Sequence, residues 1–464
     1  MQGSETDRRR GGSNAWVGVI VLLFVVAGAM RSHNASHFFI DYGFDETFNW
    51  EYVGDLTRTW ALPEPDQHWS AARPPAFFYV AGAIARASGP SRVEAIHTIR
   101  RVSGFFGLLA IGAALGLIAR LSSPPAREGP RLALAAGLML FIPAHIYVSA
   151  MLNEEVMVAG WVTFALVLAV WEQVEGGEGW QSWARVVGIG VAGGLAFLTK
   201  LTGCLVVAAV AVSFVFDGWR RGDVRPALAR AAVLSGVALL IGGWFYARSL
   251  ILYGYLYPHS LELHSIMLSM PPGARDLFDY LRVSPAMFVD TRVDTPGLLH
   301  SVWGGTYVTW WFDGHRHFVP RVDPVVERIG GLILVLGALP TFAAAAGCLR
   351  GIRQARLSVR APDTPMLAVT GLTLAGYALY TWQNPWFATV KASYLLGLAL
   401  PYGFWASERL TAWSRESRWV AVGIGLDLGL LLVVIVAAFT FGTPLWDMTL
   451  GAHYPGLPWL PDQP

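Results

Sequence analysis

Cysteine is nearly absent from this chain of 464 residues, which contains only 2, Cys204 and Cys348. No disulfide framework or cysteine-rich metal site is available, so folded loops must hold their shape without such links. Charged residues are also scarce, at 14% of the chain, and nearly balanced, with a formal net charge of +2. The chain lacks a broad basic field, and nucleic acid is therefore not an expected partner.

Apolar residues are abundant instead. They make up 54% of the chain, and the mean hydropathy is +0.45. A membrane-spanning helix needs about 20 mostly apolar residues. Runs near that length occur at 15–31, 99–120, 131–149, 155–171, 184–199, 201–216, 231–248, 329–348, 365–382, 392–408 and 418–441. We therefore predict an all-α membrane protein with about eleven transmembrane helices, and an interfacial or re-entrant helix at 74–87.

The positions of the basic residues predict the orientation. Arginines concentrate in alternate connections, among them Arg220, Arg350, Arg353, Arg409 and Arg415. Short cytoplasmic loops carry such an excess, so we expect a multi-pass protein of the cell membrane with its N-terminus in the cytoplasm. Two long segments, 32–98 and 249–328, then lie outside and should fold as interfacial subdomains. We predict an N-terminal module, 1–220, with a catalytic first loop, and a C-terminal module, 221–464, with the second.

The first outer loop combines acidic, aromatic and basic residues. It begins with Asp45 and Glu46, and a stripe of large apolar residues follows every fourth position at Phe48, Tyr52, Leu56 and Trp60. That spacing places the stripe on one face of a helix lying in the membrane interface. Next come His68, Trp69, Arg73, Pro74 and Pro75. Acidic and basic side chains are thus expected close together at one membrane interface.

In this arrangement the chain resembles the GT-C class of integral-membrane glycosyltransferases, in particular the protein mannosyltransferase and aminoarabinose transferase relatives. Further segments similar to that class follow in order at 152–155, 194–203, 244–254, 301–304 and 390–396. They include an acidic pair, a Leu-Thr-Lys turn and a Val-Lys-x-x-Tyr-Leu-Leu stretch. The sequence departs from the class pattern at Ser249, Tyr255, Ser393 and Gly397.

The resemblance implies a transferase that moves a hexose or pentose from a polyprenyl-phosphate donor, with inversion, to an acceptor hydroxyl at the outer face. The acceptor would be a glycan, a lipid or a protein, and membrane lipids would be further partners. The phosphate leaving group is already a weak base, so no protonating acid is needed. One carboxylate that accepts the acceptor's proton would suffice, together with cations that hold the phosphate. Asp45 is the candidate base and Glu46 the alternate.

Basic residues near outer helix ends are the candidates for holding the phosphate: Arg73, Lys200, Arg248 and Lys391. His68, Trp303 and Tyr394 are further candidates for substrate contact. Glu154 or Glu155 is a candidate to join Asp45 in holding a divalent ion, Mg²⁺ or Mn²⁺, because such ions prefer carboxylate oxygens. The ion is optional in the class that the chain resembles. His315 and His317, at i and i+2, are a weaker metal pair.

Structural roles compete with each of these functions. Asp45 would cap the interfacial helix, the glutamates would be solvated, and the cations would reach lipid headgroups. Trp303 would anchor the chain in the interface. For the whole protein, the rivals are a transporter or flippase for a lipid-linked substrate and a non-catalytic relative. The spans carry no obvious charged pathway, which favours the enzyme.

Overall fold

The computed structural model describes residues 3–122, 129–177, 179–257, 270–319 and 324–441. These ranges consist of helices and irregular turns, and no strand occurs within them. The N-terminal half contains α1 (Gly3–His37), α2 (Glu46–Thr59), α3 (Ala76–Ala87), α4 (Arg92–Leu121), α5 (Gly129–Leu140), α6 (Pro143–Ser149), α7 (Glu155–Glu175), α8 (Trp180–Thr199) and α9 (Cys204–Arg221). The predicted all-α class is confirmed.

The remaining α-helices are α10 (Val224–Ala238), α11 (Trp244–Tyr253), α12 (Pro296–Leu299), α13 (Val302–Trp311), α14 (Pro324–Leu357), α15 (Asp363–Gln383), α16 (Ala399–Ser414) and α17 (Arg418–Val436). A five-residue π-helical turn joins α10 to α11, so the two continue as one apolar rod. The boundary between modules at 220 stays a prediction.

The predicted number of spans, eleven, is not confirmed. Within the described ranges eight helices are long and apolar enough to cross a membrane, and α5 with α6, bent by 49°, makes nine if the pair is one span. The runs predicted at 365–382 and 392–408 do form helices. However, threonine, glycine, tyrosine and tryptophan dilute the apolar character of α15. α16 has only 16 residues, because Ala392–Leu398 before it is a 3₁₀ helix.

The first long loop folds as a helical hairpin. α2 packs against α3, and α3 packs on α4. Tyr52 and Leu56 of the predicted stripe are fully buried there, and the Tyr52 and Phe78 rings stack with centroids 4.1 Å apart. Phe48 and Trp60, at either end of the stripe, remain exposed. The stripe therefore builds a small core rather than lying wholly in the interface.

The second long loop reaches into the bundle through α13. The Tyr147 hydroxyl of α6 donates to the Thr309 carbonyl at 2.8 Å. The Ala392 amide donates to Thr309 Oγ1 at 2.9 Å. α13 thus connects α6 to the turn that follows Lys391, and it fixes the backbone from which that lysine projects. The predicted bounds of the two loop subdomains, 32–98 and 249–328, stay a prediction, and residues 258–269 and 320–323 of the second lie outside the described residues.

Candidate active site

A cleft of about 390 Å³ opens where the connections after α1, α2, α6, α8 and α15 meet. Its charged lining consists of Asp45, Arg73, Glu154, Glu155, Lys200 and Lys391. Its apolar lining lies one or two turns further into the helices and consists of Val158, Val162, Leu205, Val206, Gly376 and Gly397. The cleft is therefore charged at the mouth and apolar within the bundle.

Arg73 is the centre of the charged mouth. Its Nη2 lies 2.6 Å from Asp45 Oδ2, and its Nη1 lies 3.3 Å from Glu154 Oε2. The same Nη1 donates to Asn49 Oδ1 at 3.1 Å. One guanidinium thus joins the first loop to the turn between α6 and α7, because its planar fork has donors for several acceptors at once.

Asp45 occupies the N-cap position of α2, yet its carboxylate makes no capping hydrogen bond. Its backbone is left-handed, with φ of 53°, and the side chain points into the cleft and is 33% exposed. The Asp45 side chain therefore does not act as a helix cap in this structure. Burial opposes ionisation, but the charges of Arg73 and Lys391 outweigh it and hold the pKa of Asp45 below its ordinary range. Asp45 is an ionised carboxylate at neutral pH.

The chain has only two lysines, and both line the cleft. Lys200 Nζ contacts Glu155 and lies 3.5 Å from Glu154 Oε1. Lys391 is different, since its ammonium makes no ion pair with any described residue. It lies instead over the Phe44 ring, 4.3 Å from the centroid. Burial lowers the pKa of Lys391 below that of free lysine. A partly buried cation that makes no ion pair among the described residues is a candidate for binding an anion.

The divalent-ion site predicted from Asp45, Glu154 and Glu155 does not form in this arrangement. Arg73 and Lys200 already pair with these three carboxylates. No group of three acidic, histidine or cysteine side chains in the described ranges is arranged to hold a metal ion. The side chains present therefore do not fit a resident Mg²⁺ or Mn²⁺.

Glu46, the predicted alternate base, does not reach the cleft. Its carboxylate is fully buried and pairs with Arg100, which is also fully buried. It also accepts hydrogen bonds from the backbone amides of Leu152 at 2.8 Å and Asp41 at 3.2 Å. Because successive residues of a helix point in different directions, Glu46 faces inward while Asp45 faces the cleft. Glu46 anchors the first loop to α4 and to the α6–α7 turn.

Three predicted substrate contacts also lie away from the cleft. His68 Nε2 lies 3.2 Å from Asp55 Oδ2, within the loop hairpin. The guanidinium of Arg248 lies over the Tyr253 ring at 5.8 Å. Trp303 packs against another ring in the bundle, with centroids 5.9 Å apart. Each of these side chains is directed to a neighbour of its own, and its contact with substrate stays a prediction. Tyr394, by contrast, lines the cleft between the two lysines.

The two histidines of the second loop support the cleft wall rather than forming a metal pair. His315 Nε2 is 3.0 Å from the Val390 carbonyl, and His317 Nδ1 is 3.3 Å from the Tyr42 carbonyl. Their ring centroids are 6.3 Å apart. Burial lowers the pKa of both imidazoles. They are neutral rings that pack against Phe44, beneath the Lys391 ammonium.

Some residues at or beside the cleft were not predicted to be site residues. Asn49 lies beside the cleft and accepts hydrogen bonds from Ser70 Oγ at 2.7 Å and from Arg73. Its spacing of four residues from Asp45 places both on one helical face, which was the available signal. Tyr257 and Asn384 line the cleft, and no sequence pattern marks either residue as part of a site. Ser393 lines it too, with a buried hydroxyl that has no hydrogen-bond partner in the described chain.

No family model matches the chain, and no curated protein matches its sequence. Several solved structures are similar in fold. The oligosaccharyltransferase of Archaeoglobus fulgidus gives a TM-score of 0.53 at 14% identity, over 94% of this chain and 57% of that one. AglB of the same organism, in complex with an inhibitory peptide and a dolichol-phosphate, gives 0.50 at 14% identity, over 96% and 57%.

ArnT from Cupriavidus metallidurans bound to undecaprenyl phosphate gives a TM-score of 0.43 at 17% identity, over 87% of this chain and 79% of that one. The chain spans only 57% of the length of the archaeal oligosaccharyltransferase. At these identities the two archaeal structures, with TM-scores of 0.53 and 0.50, establish a fold. The resemblance to the GT-C membrane enzymes is confirmed at that level.

Proposed function

We propose that the protein is a glycosyltransferase that moves a sugar from a polyprenyl-phosphate donor to an acceptor hydroxyl, with inversion at the anomeric carbon. The observation that carries the proposal is the composition of the cleft. An ionised carboxylate, Asp45, and a cation without an ion pair among the described residues, Lys391, lie together at the mouth of an apolar groove. AglB, which shares the fold, was solved with a dolichol-phosphate, a lipid phosphate of the same class.

The chemistry requires one proton transfer and one displacement. The acceptor oxygen attacks the anomeric carbon while its proton passes to Asp45, and the bond from that carbon to the phosphate oxygen breaks. The phosphate leaves with the electron pair and is held by Lys391 and Lys200. Because phosphate is a weak base, the departing oxygen needs positive charge beside it and no proton. Arg73 orients Asp45 and keeps it ionised until the acceptor hydroxyl arrives.

The lipid chain of the donor would occupy the apolar part of the cleft. α7, α9, α15 and the turn after Lys391 contribute its walls, and two glycines widen it. At Gly376 a Cβ atom would lie 3.0 Å from Leu205, and at Gly397 it would lie 2.9 Å from Val162. These positions leave a slot between packed helices, which suits a flexible hydrocarbon chain.

Filling that slot is expected to weaken use of the lipid donor. Gly376→Leu should raise the KM for a polyprenyl-phosphate sugar by on the order of tenfold, because overpacking a groove costs roughly 1–3 kcal/mol. Gly371→Leu is the matched control, since it lies in the same helix with no atom within 4 Å of its Cβ position. Initial rates at varied donor concentration measure both. Equal KM values in the two variants would place the lipid elsewhere.

The charge of Lys391 predicts a pH dependence. Burial lowers its pKa in the free protein, although Asp45 and Glu155 partly oppose this shift. The ammonium is therefore lost as pH rises through a value below the ordinary lysine pKa of about 10.4, and kcat/KM should fall there. Lys391→Arg keeps its charge in that range and should remove the alkaline fall. An unchanged alkaline limb in this variant would assign the titration to another group.

The overall proposal is tested by supplying purified protein in lipid with radiolabelled polyprenyl-phosphate sugars and a panel of glycan, lipid and protein acceptors. Transfer of label to one acceptor class, with release of polyprenyl phosphate, is the expected result. Movement of the intact donor across the bilayer without cleavage would instead support a flippase. Donor binding with neither outcome would support a non-catalytic carrier protein.

A further inference from the structure

The opposite end of the bundle contains a second polar site, lined by arginines. The ends of α5, α14 and α16 that lie away from the cleft border two adjoining, half-open cavities of about 410 and 440 Å³. Among the described residues, their lining contains one carboxylate, Glu408, and the arginines Arg131, Arg350, Arg353, Arg409 and Arg415. Here we call this group the arginine pocket. Positive charge is therefore in excess among the described residues that line these cavities.

Two arginines connect the halves of the arginine pocket. Arg350 and Arg409 line both cavities. Arg350 contacts Glu408, so the one carboxylate among the described lining residues is already paired. Arg409 lies beside the Trp413 ring, 5.5 Å from its centroid. Its Nε is buried and makes no hydrogen bond to the described chain. Arg350 and Arg409 thus place two guanidinium groups where the cavities adjoin, and both would attract an anionic oxygen there.

The surface that adjoins the pocket is apolar. Val335, Phe342 and Leu349 of α14 are separated by seven residues each and therefore lie on one face of the helix. Their side chains are 56%, 70% and 66% exposed. Leu349 and Leu357 also line the pocket itself. A ligand with an anionic head in the pocket could extend hydrocarbon chains along this face.

We propose that the arginine pocket binds an anionic phospholipid, with its phosphate among the arginines and its acyl chains along the exposed face of α14. Basic pockets between membrane helices are suited to such headgroups, and the arginine distribution predicts that this end faces the cytoplasm. The site is separate from the cleft. Gly397 of the cleft and Arg409 of the pocket are 12 residues apart along α16 and the turn before it, which corresponds to about 18 Å.

Two alternative roles for the arginines lead to different predictions. Arginines near the ends of membrane helices also fix orientation through a diffuse attraction to headgroups, and such an attraction has no single saturable site. A free phosphate or phosphate ester would satisfy the same donors, but it would gain nothing from the apolar face of α14. Saturation of lipid binding distinguishes a specific site from diffuse attraction, and competition by a soluble phosphate distinguishes a phospholipid site from a phosphate site.

The test is native mass spectrometry of the delipidated full chain, titrated with phosphatidylglycerol or with phosphatidylcholine. One saturable phosphatidylglycerol is expected. Arg409→Gln should weaken it by about fivefold, since each arginine near an anionic lipid contributes about 1 kcal/mol. Arg356→Gln is the matched control, because it removes an exposed arginine from the same end of α14 outside both cavities. Arg409→Lys should retain most of the affinity.

Equal loss of binding in Arg409→Gln and Arg356→Gln would overturn the proposal in favour of diffuse attraction. Displacement of the bound lipid by millimolar glycerol phosphate would assign the pocket to a soluble phosphate and would also overturn it. The thermal transition of Arg409→Gln would reveal whether this variant unfolds. In that case the test is lipid binding by Arg409→Lys compared with Arg350→Gln, because only Arg350→Gln removes a charge from the pocket and should weaken binding. Sugar transfer in the cleft is assayed separately and does not enter either outcome.

Discussion

Asp45→Asn is expected to bind the polyprenyl-phosphate donor at least as tightly as wild type and to transfer sugar about 10²–10⁴-fold more slowly, the usual range for loss of a general base. The amide cannot accept the acceptor's proton. Removal of the negative charge beside Lys391 and Arg73 should not weaken phosphate binding and should slightly favour it. The predicted change is therefore in kcat rather than in KM.

The substitution is suited to this position for a conformational reason. Asp45 has φ of 53°, and asparagine adopts that left-handed backbone readily, so the loop should keep its shape. Asp41→Asn is the matched control. Asp41 lies in the same loop with φ of 69°, pairs with Arg92 and does not line the cleft. Single-turnover transfer from labelled donor, measured beside donor binding, compares the two. An Asp45→Asn rate within about threefold of wild type would remove Asp45 from catalysis.

Glu46→Gln is expected to act on stability instead. The Glu46–Arg100 pair is completely buried, and the substitution leaves the Arg100 guanidinium inside the protein without its counter-charge. Loss of one partner of such a pair typically costs about 3–5 kcal/mol of unfolding free energy. The amide also replaces one of the carboxylate oxygens that accept from the Leu152 and Asp41 backbones. The folded fraction should therefore fall sharply.

Denaturant titration in mixed micelles measures this effect, and turnover per folded molecule separates stability from chemistry. Glu51→Gln is the control, since Glu51 is an exposed residue on the same helix. A Glu46→Gln protein that is as stable as the Glu51→Gln protein but inactive would restore Glu46 as the catalytic carboxylate. Reduced stability with near-normal specific turnover would confirm its anchoring role.

The sequence could predict the site in part because its members follow membrane helices. Arg73, Glu154, Lys200 and Lys391 each lie next to the end of an apolar run, and Asp45 lies in the loop that follows the first run. Alternation of the spans places those ends and that loop on one side. Proximity in three dimensions follows from that topology. The sequence could not decide which of Asp45 and Glu46 faces the cleft. That depends on the left-handed backbone at Asp45 and on the pairing of Glu46 with Arg100, which is remote in sequence.

The sequence by itself determined the solvent and the class of fold. Hydropathy and charge are local properties that can be added along the chain, so they specify helices, membrane and loops without knowledge of contacts. Only the tertiary structure decided which charges pair. In the structure, His68, Arg248 and Trp303 each contact a neighbour outside the cleft. Glu154 pairs with Arg73, and Glu155 pairs with Lys200. Lys391 makes no ion pair among the described residues. The physical reason is that a buried ion pair depends on ångström distances between groups remote in sequence, which no local pattern encodes.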